Sequence, residues 1–337
     1  MGRIVDIAEK AGVSSKTVSR VINGHPNISA KTRWKVEEAI RALSYEPRSA
    51  GSGRNRGSNR AVGVFFGDPS AGFQVCIYRA LLRACQTSDH FLAVEAFRES
   101  GNDWSSQVAA FLDRSQVRKI VLVPPLCDSY EIQNLLKERD VRFALISPSR
   151  PVSGVQAIAM DDRRAAMEMT QHLLGLGHRR IGYLDGRPGH VATLLRRQGF
   201  EEAYAVAGLP APDESLILRA DFSFRTALDR ARTLLEREDR PTAIFASNDE
   251  MAAAALFVAN HLGLSVPEDL SVSGFDGAEI SRTVWPELTT IAQPFDEMAE
   301  RAIEQIIDPV DAYGRDPGVR VLSHQLIIRA STGPAPA

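Results

Sequence analysis

Gly12-Val13-Ser14-Ser15-Lys16-Thr17-Val18-Ser19-Arg20-Val21-Ile22-Asn23 is the stretch from which the rest of the chain is read. It spells a short helix with a marked start. Ser14 is a good N-cap, because its hydroxyl can accept from an orphan first-turn N–H, and Thr17 stands where a capping box carries Glu or Gln. Val18, Val21 and Ile22 fall at helical spacing and form one apolar face. The other faces carry Ser15, Lys16, Thr17, Ser19, Arg20 and Asn23, which are hydroxyls, cations and an amide with no carboxylate. Such a surface suits phosphate oxygens and base edges. Just upstream, Ile4, Ile7, Ala8 and Ala11 follow the i, i+3, i+4, i+7 rule of a second amphipathic helix, and Gly12 can make the left-handed turn between the two. Two short helices around a tight glycine turn predict a helix-turn-helix, with the second helix in the major groove.

Working outward, Ser29 is the expected N-cap of a third helix running to about Leu43, with Val36, Ile40 and Leu43 closing a mini-core and Trp34 facing outward. The head therefore covers residues 1–45. Residues 46–60 contain no large apolar residue and are rich in Gly, Ser, Asn and Arg, which predicts a linker.

Of the 337 residues, 1–60 carry a net charge of +7 and the remainder −9. A basic head on an acidic body implies a polyanion partner for the head alone. The three cysteines form no Cys-x-x-Cys pair and read as reduced core thiols. No apolar run opens the chain and the longest apolar stretch, Met251 to Leu264, is interrupted by Asn260 and His261. Neither a secretory signal nor a membrane span is expected, and the expected location is cytoplasmic.

From Ala61 the texture changes to alternating strands and helices. Strands are expected at 61–66, 91–97, 119–123 and 141–147, with helices at 74–85, 103–114 and 129–139 between them. A second run has helices at 162–176, 191–207, 223–237 and 249–262 and strands at 180–185, 242–246 and 270–274. Late strands near 289–292, 319–322 and 325–329 are expected to return to the two units. Such repetition predicts an α/β core of two doubly wound parallel sheets with a hinged cleft between them. Lobe 1 is expected at about 61–160 and 291–322, lobe 2 at about 161–290 and 323–330, and a tail at 331–337.

Ligands of open α/β sheets bind beyond the carboxyl ends of the strands. Ser247-Asn248-Asp249 and Phe275-Asp276 follow two such strands, and Arg196 precedes Gly199-Phe200 within a helix. Arg, Asn and Asp converging on one crevice suit a polyhydroxylated or carboxylated small molecule. Asn248 and Asp249 also serve as helix caps, and the two roles are compatible. Gly175-Leu-Gly177-His178-Arg-Arg-Ile-Gly182 imitates a dinucleotide loop but ends a helix and precedes a strand, the reverse of the required order. Gly177 reads as a helix C-terminal turn and His178 as a satisfied structural histidine. No Ser/Cys nucleophile elbow, HExxH or Walker A sequence is present, so no catalytic residue, metal or cofactor is expected.

Asp6-Ile7-Ala8, Ala11-Gly12-Val13-Ser14, Thr17-Val18-Ser19-Arg20-Val21, Asn23, Ser29-Ala30-Lys31-Thr32-Arg33, Val36 and Leu43-x-Tyr45-x-Pro47 resemble the headpiece of the lactose-repressor/galactose-repressor (LacI/GalR) regulators. The resemblance implies a periplasmic-binding-protein-like core and a repressor whose operator affinity is set by a small metabolite, most simply a sugar or sugar derivative. It implies double-stranded operator DNA and a second copy of the chain as partners, a homodimer or a higher oligomer. Ser14, Ser15, Lys16, Thr17, Ser19, Arg20, Asn23, Ser29, Thr32 and Arg54 are then expected on DNA. Arg196, Asn248, Asp249 and Asp276 fall on the family's effector contacts, and Phe73, Gln74, Pro124 and Ser147 lie where lobe 1 would complete the site. The chain departs from the family in its linker, where Gly51, Ser52 and Arg54 replace the Ala, Arg and Leu of a minor-groove hinge helix. A transporter's solute-binding protein shares the core but predicts a signal peptide and no basic head. A metabolic enzyme using Asp249, Glu250 or Asp276 predicts a catalytic motif that is absent.

Overall fold

Ser14 and Ser29 start helices by the same device. The Thr17 N–H donates to Ser14 Oγ at 3.1 Å and the Thr32 N–H to Ser29 Oγ at 3.2 Å, and each serine hydroxyl also bonds the threonine hydroxyl three residues on. The elements so defined are α1 (Ile4–Ala11), α2 (Ser15–Ile22) and α3 (Ala30–Ala42), with Gly12 at φ +64° in the turn. Ile7, Ala8, Ala11, Val18, Val21, Val36 and Ala39 bury a miniature core, and Trp34 is exposed. The computed structural model describes residues 4–22, 28–42, 60–67, 72–97, 103–150, 152, 154–155, 157–307 and 318–336. The expectations on Leu43, Asn23, Arg54 and the linker to residue 59 lie outside them, as does the side chain of Ser19. The chain divides into two units, Met1–Ala61 and Val62–Ala337.

The second unit contains two sheets. Lobe 1 runs β1 (Ala61–Phe66), α4 (Gly72–Thr87), β2 (Phe91–Ala96), α5 (Trp104–Ser115), β3 (Lys119–Leu122), α6 (Tyr130–Glu138), β4 (Arg142–Ile146) and β5 (Ala157–Met160). Lobe 2 runs α7 (Asp162–Gly175), β6 (Ile181–Asp185), α8 (Val191–Val206), β7 (Ile217–Arg219), α9 (Phe224–Leu235), β8 (Ala243–Ala246), α10 (Asp249–His261), β9 (Ser271–Ser273) and α11 (Ile280–Thr283). Then come β10 (Thr290–Ala292), α12 (Phe295–Ile307), β11 (Val319–Leu322) and β12 (Gln325–Ile327). The lobe 1 sheet has the order β11-β5-β4-β3-β1-β2, and the lobe 2 sheet β7-β6-β8-β9. Parallel pairing joins β1 to β3, β3 to β4, β4 to β5 and β5 to β11, and likewise β7 to β6, β6 to β8 and β8 to β9. The interior strands β1, β3 and β8 are buried along their whole length, as suits parallel strands covered by helices on both faces.

Helices α7 and α8 cross at a separation only glycine permits. A Cβ on Gly199 would lie 2.0 Å from the Arg163 carbonyl oxygen. His178 is fully buried, with Nδ1 2.9 Å from Thr242 Oγ1 and Nε2 3.0 Å from Ser271 Oγ and 3.1 Å from the Gly333 carbonyl. Burial lowers its pKa, so the ring stays neutral and ties three segments together. Gly177 at φ +96° ends the preceding helix.

Three expectations are corrected. Strands β5 and β7 are absent from the expected elements because three or four residues hold too short a pattern, and helix α12 is absent from them although Met298, Ala299, Ala302, Ile303 and Ile306 bury one face at helical spacing. Of the late strands, only β11 returns to a main sheet; β10 and β12 pair antiparallel with each other, and β10 lies beside lobe 2 through the Gly274 N–H to Thr289 O and Asp276 N–H to Ile291 O bonds. Residues 331–336 are no loose tail at their start. Ser331 is fully buried, its hydroxyl accepting from the Thr289 N–H and donating to Val272 O.

Candidate functional site

The carboxyl ends of both sheets face one cavity of about 450 Å³. Lobe 1 contributes Phe73, Gln74, Pro124 and Ser147 to its lining, and lobe 2 contributes Arg196, Asn248 and Asp276. Asp249, grouped with them on sequence, is not among the lining residues. It is 1% exposed, and its carboxylate accepts from the Ala278 N–H at 2.7 Å and the Thr290 hydroxyl at 2.5 Å. Asp249 braces the turn after β9, where a Cβ on Gly274 would lie 2.3 Å from its Oδ1.

Arg196 is the centre of the lobe 2 wall. It projects from α8 with 5% of its surface exposed. Its Nε donates to Asp162 Oδ1 at 2.8 Å, its Nη1 to Ser247 O at 2.5 Å, and Nη1 lies 3.5 Å from Asp276 Oδ1. The guanidinium carbon sits 3.7 Å from the centre of the Phe275 ring. A buried guanidinium needs such partners to offset its desolvation, and the planar fork is thereby fixed before any ligand arrives. Burial works against its charge, and Asp162 and Asp276 outweigh that and raise its pKa. Asp276 itself is pushed up to about 6, because burial outweighs Arg196 and the 2.7 Å bond from Gln293 Nε2. Asn248 both caps α10, accepting from the Met251 N–H at 2.9 Å, and lines the cavity. Its Nδ2 donates to the Phe222 carbonyl at 3.2 Å, which ties the strand end to the neighbouring turn.

Asp162, Phe222 and Gln293 also line the cavity, and sequence reasoning missed them. Asp162 followed Asp161 in a pair that reads as helix capping, and Asp161 does cap α7. Phe222 follows a three-residue strand that leaves no pattern, and Gln293 follows the expected strand near 289–292 without itself being singled out. Backbone conformation marks the same places. Ser147 (φ +51°), Asp221 (φ +58°), Phe222 (φ +59°) and Asp276 (φ +112°) all line the cavity in a left-handed region that non-glycine residues seldom adopt. Such conformations persist where surrounding structure enforces them, and they gather at binding sites. Gly186 makes room for Phe222, since a Cβ there would lie 2.2 Å from the ring.

In the first unit, Ser15, Lys16 and Arg20 are exposed on α2, and Ser14 and Ser29 are exposed at their helix starts. Thr17 and Thr32 are half-buried. Among the described residues, no group of His, Cys, Asp and Glu is arranged to hold a metal ion, and no helix is long and apolar enough to cross a membrane.

Residues 3–48 match the family described as bacterial regulatory proteins, lacI family, and residues 170–332 match the periplasmic binding protein-like domain. The chain is 32% identical over 336 residues to the HTH-type transcriptional regulator GalR of Escherichia coli (strain K12), covering 98% of this chain and 96% of that protein. Among solved structures it resembles the lac repressor dimer bound to operator and the anti-inducer ONPF, at TM-score 0.74 and 25% identity over 98% of this chain and 99% of that one. It also resembles the complex of the transcriptional regulator CelR with cellobiose, at TM-score 0.72 and 28% identity over 98% of this chain and 100% of that one.

Proposed function

This chain belongs to the lacI family of bacterial regulatory proteins and is a DNA-binding transcriptional regulator, and from that premise we propose that it is a repressor released from its operator, or held to it, by a sugar-like effector in the inter-lobe cavity. The observation that carries the reading is Arg196, buried and held by Asp162, Asp276 and the Ser247 carbonyl at the mouth of two parallel sheets. Asp276 and Asn248 offer acceptors and an amide to hydroxyl groups, Arg196 offers a charged fork, and Phe73 and Phe222 offer flat apolar faces to a sugar ring. A cavity near 450 Å³ suits a mono- or disaccharide.

The exposure of Ser15, Lys16 and Arg20 on α2 supports their meeting base edges and phosphates, with Ser14 and Thr17 at the start of that helix and Ser29 and Thr32 at the start of α3 in the same set. Ser19, Asn23 and Arg54 complete the DNA-contacting set. A second copy doubles the base contacts of a single head and would cover Phe91 and Val94 on edge strand β2, together with Phe257, Trp285 and Ile328, all exposed here. The effector acts by changing how the lobes meet, and so how the paired heads are presented.

The test is calorimetric titration of a panel of sugars, cellobiose, galactose and ribose included, against the wild-type chain and Asp276→Asn. Saturable binding that the variant weakens at least tenfold is expected. Wild-type and variant chains with equal affinity for a bound sugar would place the site elsewhere.

A further inference from the structure

Helix α4 opens lobe 1's side of the cavity with Gly72 and has no acidic residue in its own first turn. Its leading N–H groups and positive dipole end favour a negative charge that the helix does not itself supply. Lobe 2 supplies one. Glu250, the second residue of α10, lines the cavity beside Gly72, Phe73 and Gln74. A Cβ built on Gly72 would lie 3.3 Å from Glu250 Oε1, 3.6 Å from its Cδ and 3.7 Å from its Cγ. Three successive side-chain atoms thus lie along the first residue of a helix in the opposite lobe. A Cβ at 3.3 Å would make the carboxylate give by a few tenths of an ångström. Helix α10 has other groups for its own start, because Asn248 caps it and Asp249 sits in its first turn. The charge of Glu250 also reaches Asp276, whose protonated form it favours.

We propose that Glu250 is an inter-lobe latch, its carboxylate seated on the N-terminus of α4 so that the cleft is held closed from across the cavity. The turn it grips includes Phe73 and Gln74, so latch and ligand act on the same backbone. A chain whose binding-competent closed state is more populated shows a tighter apparent affinity in proportion. That consequence rests on the effector reading above. The latch does not, and it is tested without any ligand.

The experiment is a distance measurement by pulsed electron spin resonance on the full chain. Spin labels go on Lys137→Cys in lobe 1 and Glu236→Cys in lobe 2, both exposed positions, with Cys76→Ser to silence the half-buried thiol. Labelled chains are diluted with unlabelled ones so that only intramolecular pairs contribute. The parent should give one dominant short distance. Glu250→Ala should raise the long-distance population about two- to fivefold, the range of a charge at a helix terminus. Glu250→Gln, which keeps the length and loses the charge, should fall between, and Gly72→Ala should shift the distances in the same direction as Glu250→Ala. Added salt should open the parent and leave Glu250→Ala unchanged. Circular dichroism and thermal melting confirm that each variant is folded. Identical distance distributions in parent, Glu250→Gln and Glu250→Ala would overturn the latch, whatever sugar the cavity is found to bind.

Discussion

Asp276 is the residue whose chemistry is most exposed to test. Its carboxyl is raised from an ordinary 3.8 to about 6, chiefly by burial. A group raised in the folded state stabilises the fold fully below its unfolded pKa and loses that contribution as pH rises through the folded one. The displacement corresponds to roughly 3 kcal/mol, withdrawn between about pH 4 and pH 7. Asp276→Asn should lack that slope, so the stability of the variant relative to the parent should climb over this interval and level off above it. Denaturant unfolding at a series of pH values reads the difference; a difference that stays flat would mean that Asp276 titrates normally. On DNA, Lys16→Ala and Arg20→Ala should each cost about 1–3 kcal/mol of discrimination if the side chain reads a guanine edge. Binding to a selected operator and to random DNA separates the cases, and equal losses on both would make the residue a phosphate contact. Asp276 could be picked out beforehand because it is a charged residue between Phe275 and Gly277 just beyond a strand, and Arg196 because, three residues before Gly199 within a helix, it falls on a position the family resemblance marks. Asp162 could not, because an Asp at a helix start is explained by the helix alone, and only the folded chain sets its carboxylate 2.8 Å from Arg196.

At the scale of elements, helix starts and helix crossings were readable to different degrees. Ser-x-x-Thr occurs at the head of both α2 and α3, and local hydrogen bonding suffices to make it a cap. Ser14→Ala and Ser29→Ala should each cost the first unit about 1 kcal/mol, seen as a lower melting temperature of the head transition with that of the core unmoved. A single shared transition shifted by both would show that the two units melt together. The α7–α8 crossing depends on a glycine whose need no local rule reveals. Gly199→Ala must push Arg163 and its helix aside, and a destabilisation of about 3 kcal/mol or more is expected from overpacking at a backbone contact. Equal stability of Gly199→Ala and parent in urea would mean that the crossing yields freely. Strand β7 shows why element existence can escape a pattern of alternation, whereas β9 and β10, equally short, were expected to within a residue of their bounds. Three residues contain barely one period, and these strands exist because neighbours hold their backbone groups.

Across the whole molecule, charge and apolar surface divide the labour. The +7 of residues 1–60 against the −9 of the remainder keeps polyanion binding with the head. Phe257 and Trp285, both exposed, belong to the face proposed for a second copy of the chain, and Trp285→Asp combined with Phe257→Ser should shift sedimentation toward the monomer. The same variant should lose operator affinity while keeping effector affinity; a dimer of unchanged strength would remove that face from the interface. The two-lobed architecture was readable because β-α alternation implies parallel sheets wherever it recurs. The return of β11 to lobe 1 was among the expectations; the pairing of β10 with β12 was not, since contacts between residues so far apart in the chain leave no trace in local spacing.

The burial of Ser331, and the bonds that Gly333 makes to His178 and Ser271, also bear on how the protein is born. Among the described residues, the core of the first unit is built from residues 7–40, so that unit is made early in translation. Lobe 1 waits for β11 and lobe 2 for Gly333. At about 5–20 residues per second, the ribosome takes roughly 15–60 s to pass from one condition to the other. For that interval a nascent chain owns its DNA-binding unit and an unfinished core. A newly made copy can meet the chromosome before its two lobes are complete.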